Sequence, residues 1–357
     1  MRQKKIITIV GARPQFVKAA VLSRELAKHS GVEEKILHTG QHYDPNMSDV
    51  FFEEMNIPKP AFQLSVTETT HGAMTAEMLK GIEAVLLKEK PNLVIVYGDT
   101  NSTLAGALAA KKIQIPIAHV EAGLRSFNME MPEEINRILT DRISDYLFCP
   151  TNTAMKNLEM EGFGYFPSKR IKSGDVMKDA VDYYSLLAAD KSSIMRGLKL
   201  DSFVLCTLHR EQNTNDKSRL ESIISALNTL NKDITVVMPL HPRTRKFLDE
   251  HGIHPQVRLI DPVSYFDMLE LLRHCRMVFT DSGGLQKEAF FFQKFCVTLR
   301  EETEWTELVD HGFNVLVGSD KSAILSAYSD LINGKKNFNI DLYGDGHAAA
   351  RIVQTLL

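Results

Sequence analysis

A chain of 357 residues has room for two domains of ordinary size. With 44% apolar and 24% charged residues it is composed as a globular protein rather than a disordered one, and its formal charge of −3 gives no basic field for nucleic acid and no polybasic membrane anchor. No apolar run approaches the ~18 residues of a membrane-spanning helix, Ile6–Val10 is too short for a signal-peptide core, and four scattered cysteines without a C-x-x-C pair read as buried free thiols of a cytoplasmic protein.

Short apolar runs alternate with longer helical patterns along the whole chain. In the first half, strands are predicted at Lys5–Val10, Glu34–His38, Leu93–Tyr97, Ile115–Val120 and Tyr146–Cys149. The second half repeats the pattern at Phe203–Thr207, Ile234–Met238, Val257–Ile260, Met277–Thr280 and Phe295–Leu299. Several are apolar throughout, as in parallel sheets covered on both faces. Amphipathic stretches such as Val17–Lys28, Ala73–Lys88, Ser218–Leu230 and Tyr265–Arg273 lie between them. The alternation implies right-handed βαβ units and an α/β fold of doubly wound sheets. So many strands suit two sheets better than one, and the charged segment after Pro167–Asp175 divides the chain near 171–172.

Polar residues and glycines gather at the strand ends. Val10 runs into G-A-R-P, Tyr97 into G-D-T, Val120 into E-A-G-L-R, Thr207 into L-H-R-E-Q-N and Thr280 into D-S-G-G. Open parallel sheets bind ligands outside the carboxyl ends of their strands. Such ends in both halves imply one cleft shared by two facing domains.

Three sets of residues suggest chemistry. Ser282, Gly283 and Gly284 stand between a strand and a helix, where backbone N–H groups and the helix dipole can hold a phosphate; Glu288, one turn on, suits the two hydroxyls of a ribose. Neither a dinucleotide G-x-G-x-x-G nor a P-loop sequence occurs. Arg13, Lys18, His209 with Arg210, and His241 with Arg243 follow other strands and together would neutralise a diphosphate. The acids Asp99, Glu121, Glu133 and Glu134 all belong to the first half. Pro132-Glu133-Glu134 is also a good helix start, but carboxylates at strand ends suit proton exchange with a substrate. No metal-ligand spacing is present. The division fits a nucleotide sugar, and the residues alone do not choose between transferring the sugar and rearranging it.

The segments G-A-R-P-Q-F-V-K (11–18), T-G-Q-H (39–42), G-D-T-N-S-T (98–103), H-V-E-A-G-L-R (119–125), P-E-E-I-N-R (132–137), L-H-R-E-Q-N (208–213), D-S-G-G-L-Q-K-E-A (281–289) and E-T-E-W (302–305) resemble, in this order, the non-hydrolysing UDP-N-acetylglucosamine 2-epimerases. The resemblance implies a GT-B-like pair of Rossmann-like domains, 1–171 and 172–344, with a final helix over about 345–357 returning to the first. It implies a homodimer that needs neither redox cofactor nor metal. It also implies a reaction: anti elimination of UDP gives a 2-acetamidoglucal, and UDP then adds back while C2 is reprotonated on the opposite face. By motif position Asp99, Glu121 and Glu133 match the catalytic acids and His209 the histidine at the diphosphate. Arg13, Lys18, Ser282, Gly283, Gly284 and Glu288 match the UDP contacts.

Two departures stand out. Gln212 occupies a place where the family often has glutamate, and Tyr43-Asp44 differs from members regulated by a second UDP-N-acetylglucosamine. The G-A-R-P-Q and E-T-E-W forms look like the branch acting on modified sugars such as UDP-2,3-diacetamido-2,3-dideoxyglucuronate, where His241 and Arg243 would meet the extra carboxylate. The expected activity is therefore UDP-N-acetylglucosamine 2-epimerisation, with the modified sugar as alternative. A GT-B glycosyltransferase, a hydrolysing epimerase and a non-catalytic binding protein are the competing readings.

Overall fold

Continuous apolar strands such as Leu93–Tyr97 are buried along their full length, which requires helices on both faces of the sheet that holds them. A computed structural model describes residues 3–41, 55 and 57–357, and in it the chain forms two parallel sheets in two compact units. The first unit is Met1–Asp182 with Asp341–Leu357 and the second is Tyr183–Ile340. The division thus falls at 182–183 rather than at 171–172.

The strands of the first unit are β1 (Lys4–Val10), β2 (Val32–His38), β3 (Phe62–Gln63), β4 (Leu93–Tyr97), β5 (Ile117–Val120), β6 (Tyr146–Cys149) and β7 (Lys169–Lys172). Between them run α1 (Arg13–Leu26), α2 (His71–Glu89), α3 (Asn101–Lys112), α4 (Pro132–Ile143) and α5 (Asn152–Met160), and α6 (Val176–Lys191) follows β7. The sheet order is β3-β2-β1-β4-β5-β6-β7. One core packs Ile7, Ile9, Val94, Val96 and Ile117 of the sheet against Met78, Ile82 and Leu86 of α2 and the alanines of α3.

The second unit continues with α7 (Ile194–Leu198), β8 (Phe203–Thr207), α8 (Glu211–Thr214), α9 (Lys217–Leu230), β9 (Thr235–Pro239), α10 (Pro242–His251) and β10 (Arg258–Ile260). After these come α11 (Tyr265–His274), β11 (Val278–Thr280), α12 (Gly283–Phe291), β12 (Cys296–Thr298), α13 (Thr306–Asp310), β13 (Asn314–Leu316) and α14 (Lys321–Leu331). Its order is β10-β9-β8-β11-β12-β13. The final helix, α15 (Ala348–Leu356), belongs to the first unit. Asp179 of α6 accepts from the Ala348 and Ala349 amides at 3.0 and 2.8 Å, which satisfies two of the free N–H groups at the start of α15. Lys4 donates to the Leu356 carbonyl at its end.

Both sheets reverse direction at one place, between β1 and β4 in the first unit and between β8 and β11 in the second. Those switch points are where an open parallel sheet leaves room for a ligand beyond its carboxyl ends, and the polar motifs of the sequence fall on them. The ten predicted strands are present. β3, β7 and β13 were not anticipated: all three are edge strands, two to four residues long, and such short pieces carry little of the apolar signal that marks a central strand. All four cysteines are buried free thiols. Burial pushes Cys275 and Cys296 up to about 12, and Cys149 and Cys206 higher still.

Candidate active site

At the switch point of the first unit, the turn after β1 is fastened to the turn after β4 by one side chain. Gln15 accepts from the Gly11 and Ala12 amides at 2.8 and 3.1 Å, and donates to the Tyr97 carbonyl at 2.8 Å, Thr100 at 3.0 Å and Thr103 at 2.9 Å. A fully buried amide satisfied at both ends fixes geometry, because leaving any of these groups unpaired costs ~1–3 kcal/mol. Arg13 opens α1 and is half-buried. Lys18, a turn later, is buried and ion-paired with Glu121, so the structure groups it with the acids.

The acids are held from several sides. Asp99 pairs with Arg137, while its carbonyl accepts from Asn136 at 2.9 Å. Arg137 also donates to Glu134 at 2.6 Å. Glu121 is buried and adopts φ +74°, a conformation that costs a non-glycine residue about 1 kcal/mol or more and tends to occur where function holds it. Gly98 joins the two: with φ +62°, any Cβ it carried would stand 3.3 Å from both Glu121 Oε2 and Lys18 Nζ. Only glycine lets the β4 turn lie against that ion pair.

Glu133 and Glu134 separate into different roles. Glu134 is buried and reaches back to accept from the Ser126 and Phe127 amides at 2.9 and 3.0 Å, stabilising the loop that leads into α4. Glu133 is half-buried, with no hydrogen-bond or ion-pair partner among the described residues. Gln41 accepts from the Ser102 amide and hydroxyl at 2.9 and 2.7 Å at the start of α3. His42, Tyr43 and Asp44 lie outside the described residues.

The second unit builds its switch point around Asp281, which is wholly buried. Asp281 accepts from the His209 and Arg210 amides at 3.0 and 2.9 Å and from Asn213 at 3.3 Å, and stands 3.2 Å from His209 Nδ1. This fixes which ring nitrogen points inward and leaves Nε2 of the half-exposed His209 side chain for a ligand. Ser282 caps α12 by accepting from the Leu285 amide. Gly283 is packed so closely that a Cβ would collide with Glu304, while beside Gly284 there is open space. Glycine at 283 and 284 keeps side chains off the start of the helix, the kind of terminus that receives phosphate.

Glu288 is buried on α12 beside Tyr265, whose phenol is pushed well up by burial and by the neighbouring carboxylate. The E-T-E-W segment packs onto the same helix: Thr303 donates to Gln286 at 2.8 Å, Glu304 pairs with Arg300 at 3.1 Å, and the Lys287 ammonium sits 3.8 Å from the centre of the Trp305 ring. His241 and Arg243 stand apart from this cluster, at the start of α10. His241 accepts from the Arg243 amide at 3.2 Å, and Arg243 pairs with Glu211 at 2.6 Å and contacts Asn215 at 3.2 Å.

The structure thus brings Asp99, Glu121 and Lys18 together in the first unit, and His209, Ser282, Gly283 and Gly284 together in the second. Sequence reasoning missed Gln15, Arg137 and the orienting role of Asp281. Each lies inside a quoted motif, but its partner is remote in sequence.

The description UDP-N-acetylglucosamine 2-epimerase belongs to the family matched by residues 24–357. The chain is 52% identical over 353 residues to the UDP-2,3-diacetamido-2,3-dideoxy-D-glucuronate 2-epimerase of Pseudomonas aeruginosa, covering 99% of each. It is similar to the crystal structure of the Methanocaldococcus jannaschii UDP-GlcNAc 2-epimerase in complex with UDP-GlcNAc and UDP, with a TM-score of 0.91, 41% identity and 99% of each chain covered. The UDP-GlcNAc 2-epimerase of Neisseria meningitidis bound to UDP-GlcNAc matches with a TM-score of 0.87 and 31% identity, again over 99% of each chain. Shared fold, shared length and this level of identity place the α/β, GT-B-like chain among isomerases: it belongs to the UDP-N-acetylglucosamine 2-epimerase family.

Proposed function

We propose that the protein epimerises C2 of UDP-2,3-diacetamido-2,3-dideoxyglucuronate. The observation that carries this choice is the 52% identity, across 99% of both chains, to the relative named for that sugar. UDP-N-acetylglucosamine is the second reading, supported by the 41% identical Methanocaldococcus jannaschii relative. The extra carboxylate of the first sugar calls for a cation, and His241 with Arg243 are our candidates. The Arg243–Glu211 pair is solvent-exposed and such pairs are worth only ~0–1 kcal/mol, so a substrate carboxylate can take the place of Glu211. Steady-state kinetics with both sugars test the choice: kcat/KM at least ~10-fold higher for the diacetamido uronate, a difference of ~1.4 kcal/mol, is expected. A preference for UDP-N-acetylglucosamine overturns it.

In the reaction the C1–O bond to UDP breaks as the C2–H bond gives its electrons to the C1–C2 double bond, the proton passing to an enzyme carboxylate. The glycal and UDP recombine after C2 takes a proton on its other face. A C2–H is a weak acid, so departure of UDP leads and the charge separated in the transition state has to be met by fixed groups. Asp99, Glu121 and Glu133 are proposed for the two proton transfers. The Ser282, Gly283 and Gly284 amides, Arg13 and His209 are proposed to receive the charge that builds on the departing diphosphate, with Lys18 serving Glu121 and Glu288 the ribose. His209 is oriented for this by Asp281, with Nε2 turned to the oxygen that leaves.

The protein is further proposed to be a cytoplasmic homodimer. Its buried free thiols suit a reducing compartment, and no helix among the described residues is long and apolar enough to cross a membrane. Ile135 and Leu139 on one face of α4, with Phe127 and Met129 just before it, are exposed apolar side chains that a second copy would cover. Light scattering should give twice the monomer mass, and a charged Leu139→Asp variant should give the monomer.

A further inference from the structure

One buried histidine of the first unit supports the turn that carries the acids. His119 is in β5 and fully inaccessible to solvent. Its Nε2 is 2.7 Å from the Gly98 carbonyl oxygen and its Nδ1 is 2.7 Å from Asp141 Oδ1. A carbonyl can only accept. Asp141 also accepts at Oδ2, from the Gly123 amide at 3.0 Å and from Arg125 at 2.7 Å. A carboxyl oxygen that receives both a guanidinium and a backbone amide is that of the ionised form, so Arg125 and Gly123 hold Asp141 as the anion. With an ionised acceptor on one side and a carbonyl on the other, both ring nitrogens must donate, and a neutral ring would turn a lone pair against an oxygen at 2.7 Å. Charge balance agrees. Arg125 makes a two-point contact with Glu161 at 2.6 and 2.8 Å, so an imidazolium completes an alternating row of two cations and two anions.

We propose that His119 is a permanent imidazolium that positions the proton-transfer groups without exchanging a proton itself. Gly98, which it clamps, also donates its amide to the Val120 carbonyl at 3.0 Å. That peptide precedes Asp99 and lies against the Glu121–Lys18 pair. Fixing one carbonyl therefore fixes the turn that carries Asp99 and the surface on which Glu121 rests. The groups that face His119 leave it no route for a proton: Gly98 from the end of β4, Asp141 from α4, Arg125 from the loop after β5, and Cys149 on β6 near Asp141, a thiol that burial pushes up. Displacements of ~1 Å in groups that contact a substrate can cost ~10²-fold in rate, which sets the expected effect.

The kinetic part of the test rests on the epimerase reading, whereas the spectroscopic part does not. The full-length protein labelled with 15N-histidine is observed through its ring 1H–15N correlations from about pH 6 to about pH 9, the range in which histidine ordinarily titrates or is already neutral. His38, the other histidine buried among the described residues, accepts at Nδ1 from the Gly40 amide at 2.9 Å and provides the control of a ring with one unprotonated nitrogen. His119 should show two protonated nitrogens, unchanged across the range; an unprotonated nitrogen, or titration within it, overturns the proposal. His119→Gln should lower kcat ~10²-fold with KM changed less than ~3-fold, and UDP should still protect the variant against thermal unfolding. A kcat within ~3-fold of the parent refutes the positioning role, and the spectrum of the parent decides the protonation state even if the variant does not fold.

Discussion

The carboxyl ends around the switch points, at β1 and β4 in the first unit and at β8 and β11 in the second, occupy equivalent places in two doubly wound sheets, yet they are built from opposite materials. The first is dense with charge already paired inside the protein: Lys18 with Glu121, Arg137 with Asp99 and Glu134, Arg125 with Asp141 and Glu161. The second offers backbone amides, open space beside Gly284 and a histidine whose side chain is 49% exposed. Charge that must be aimed to within a fraction of an ångström is worth burying in a network that over-determines it. The diphosphate proposed for the second unit brings its own charge, and the amide donors of a helix start suit its reception.

Substitutions can break this contrast unit by unit. The largest effect is expected from the groups proposed for proton transfer. Asp99→Asn or Glu121→Gln should lower kcat by ~10³–10⁴-fold, consistent with loss of general acid–base catalysis, while UDP affinity measured by calorimetry stays within ~3-fold. Equal losses of UDP binding would erase the division of labour.

Next comes the buried network. Asp141→Asn leaves His119 and Arg125 without their shared anion and should cost about 3–5 kcal/mol of stability, read from denaturant midpoints. Because the folded Asp141 carboxyl is held below its ordinary value, its contribution is complete above the unfolded value of about 4 and is lost as pH falls through the lower, folded value. Acid unfolding of the parent should therefore begin below about pH 4, and the variant should lack that part of the acid dependence.

A smaller loss is expected in the second unit. His209→Asn should reduce kcat by ~10²-fold with little change in KM, since it removes help to the leaving group rather than binding. The smallest effect sharpens the substrate. Arg243→Ala should raise KM for the diacetamido uronate by ~10-fold, the worth of ~1.4 kcal/mol, and leave KM for UDP-N-acetylglucosamine unchanged. A parallel rise for both sugars would remove Arg243 from sugar recognition.

Much of the scaffold was legible in the sequence, because central parallel strands must be apolar on both faces and their turns must change abruptly to Gly, Asp, His or Arg. The edge strands β3, β7 and β13 escaped because an edge pairs on one side only and tolerates mixed residues such as Lys169–Lys172. The strand-end groups Asp99, Glu121, His209 and Ser282–Gly284 were visible for the same reason as the strands. Their supports were not. Gln15 makes its key bonds more than 80 residues away, and His119 and Asp141 are 22 residues apart. One signal did point there: a histidine inside the otherwise apolar strand Ile117–Val120 needs buried partners. Likewise Glu133 and Glu134 look interchangeable in a helix-start pattern, and only the loop amides of Ser126 and Phe127 tell them apart.

Epimerisation at C2 is read most directly from the fate of one hydrogen. Proton NMR of the UDP-sugar incubated with the protein in deuterated water should show loss of the C2 proton signal together with growth of the C2-inverted UDP-sugar, and neither change with Asp99→Asn. Retention of the C2 proton in both candidate sugars by the folded, UDP-binding parent protein would contradict it.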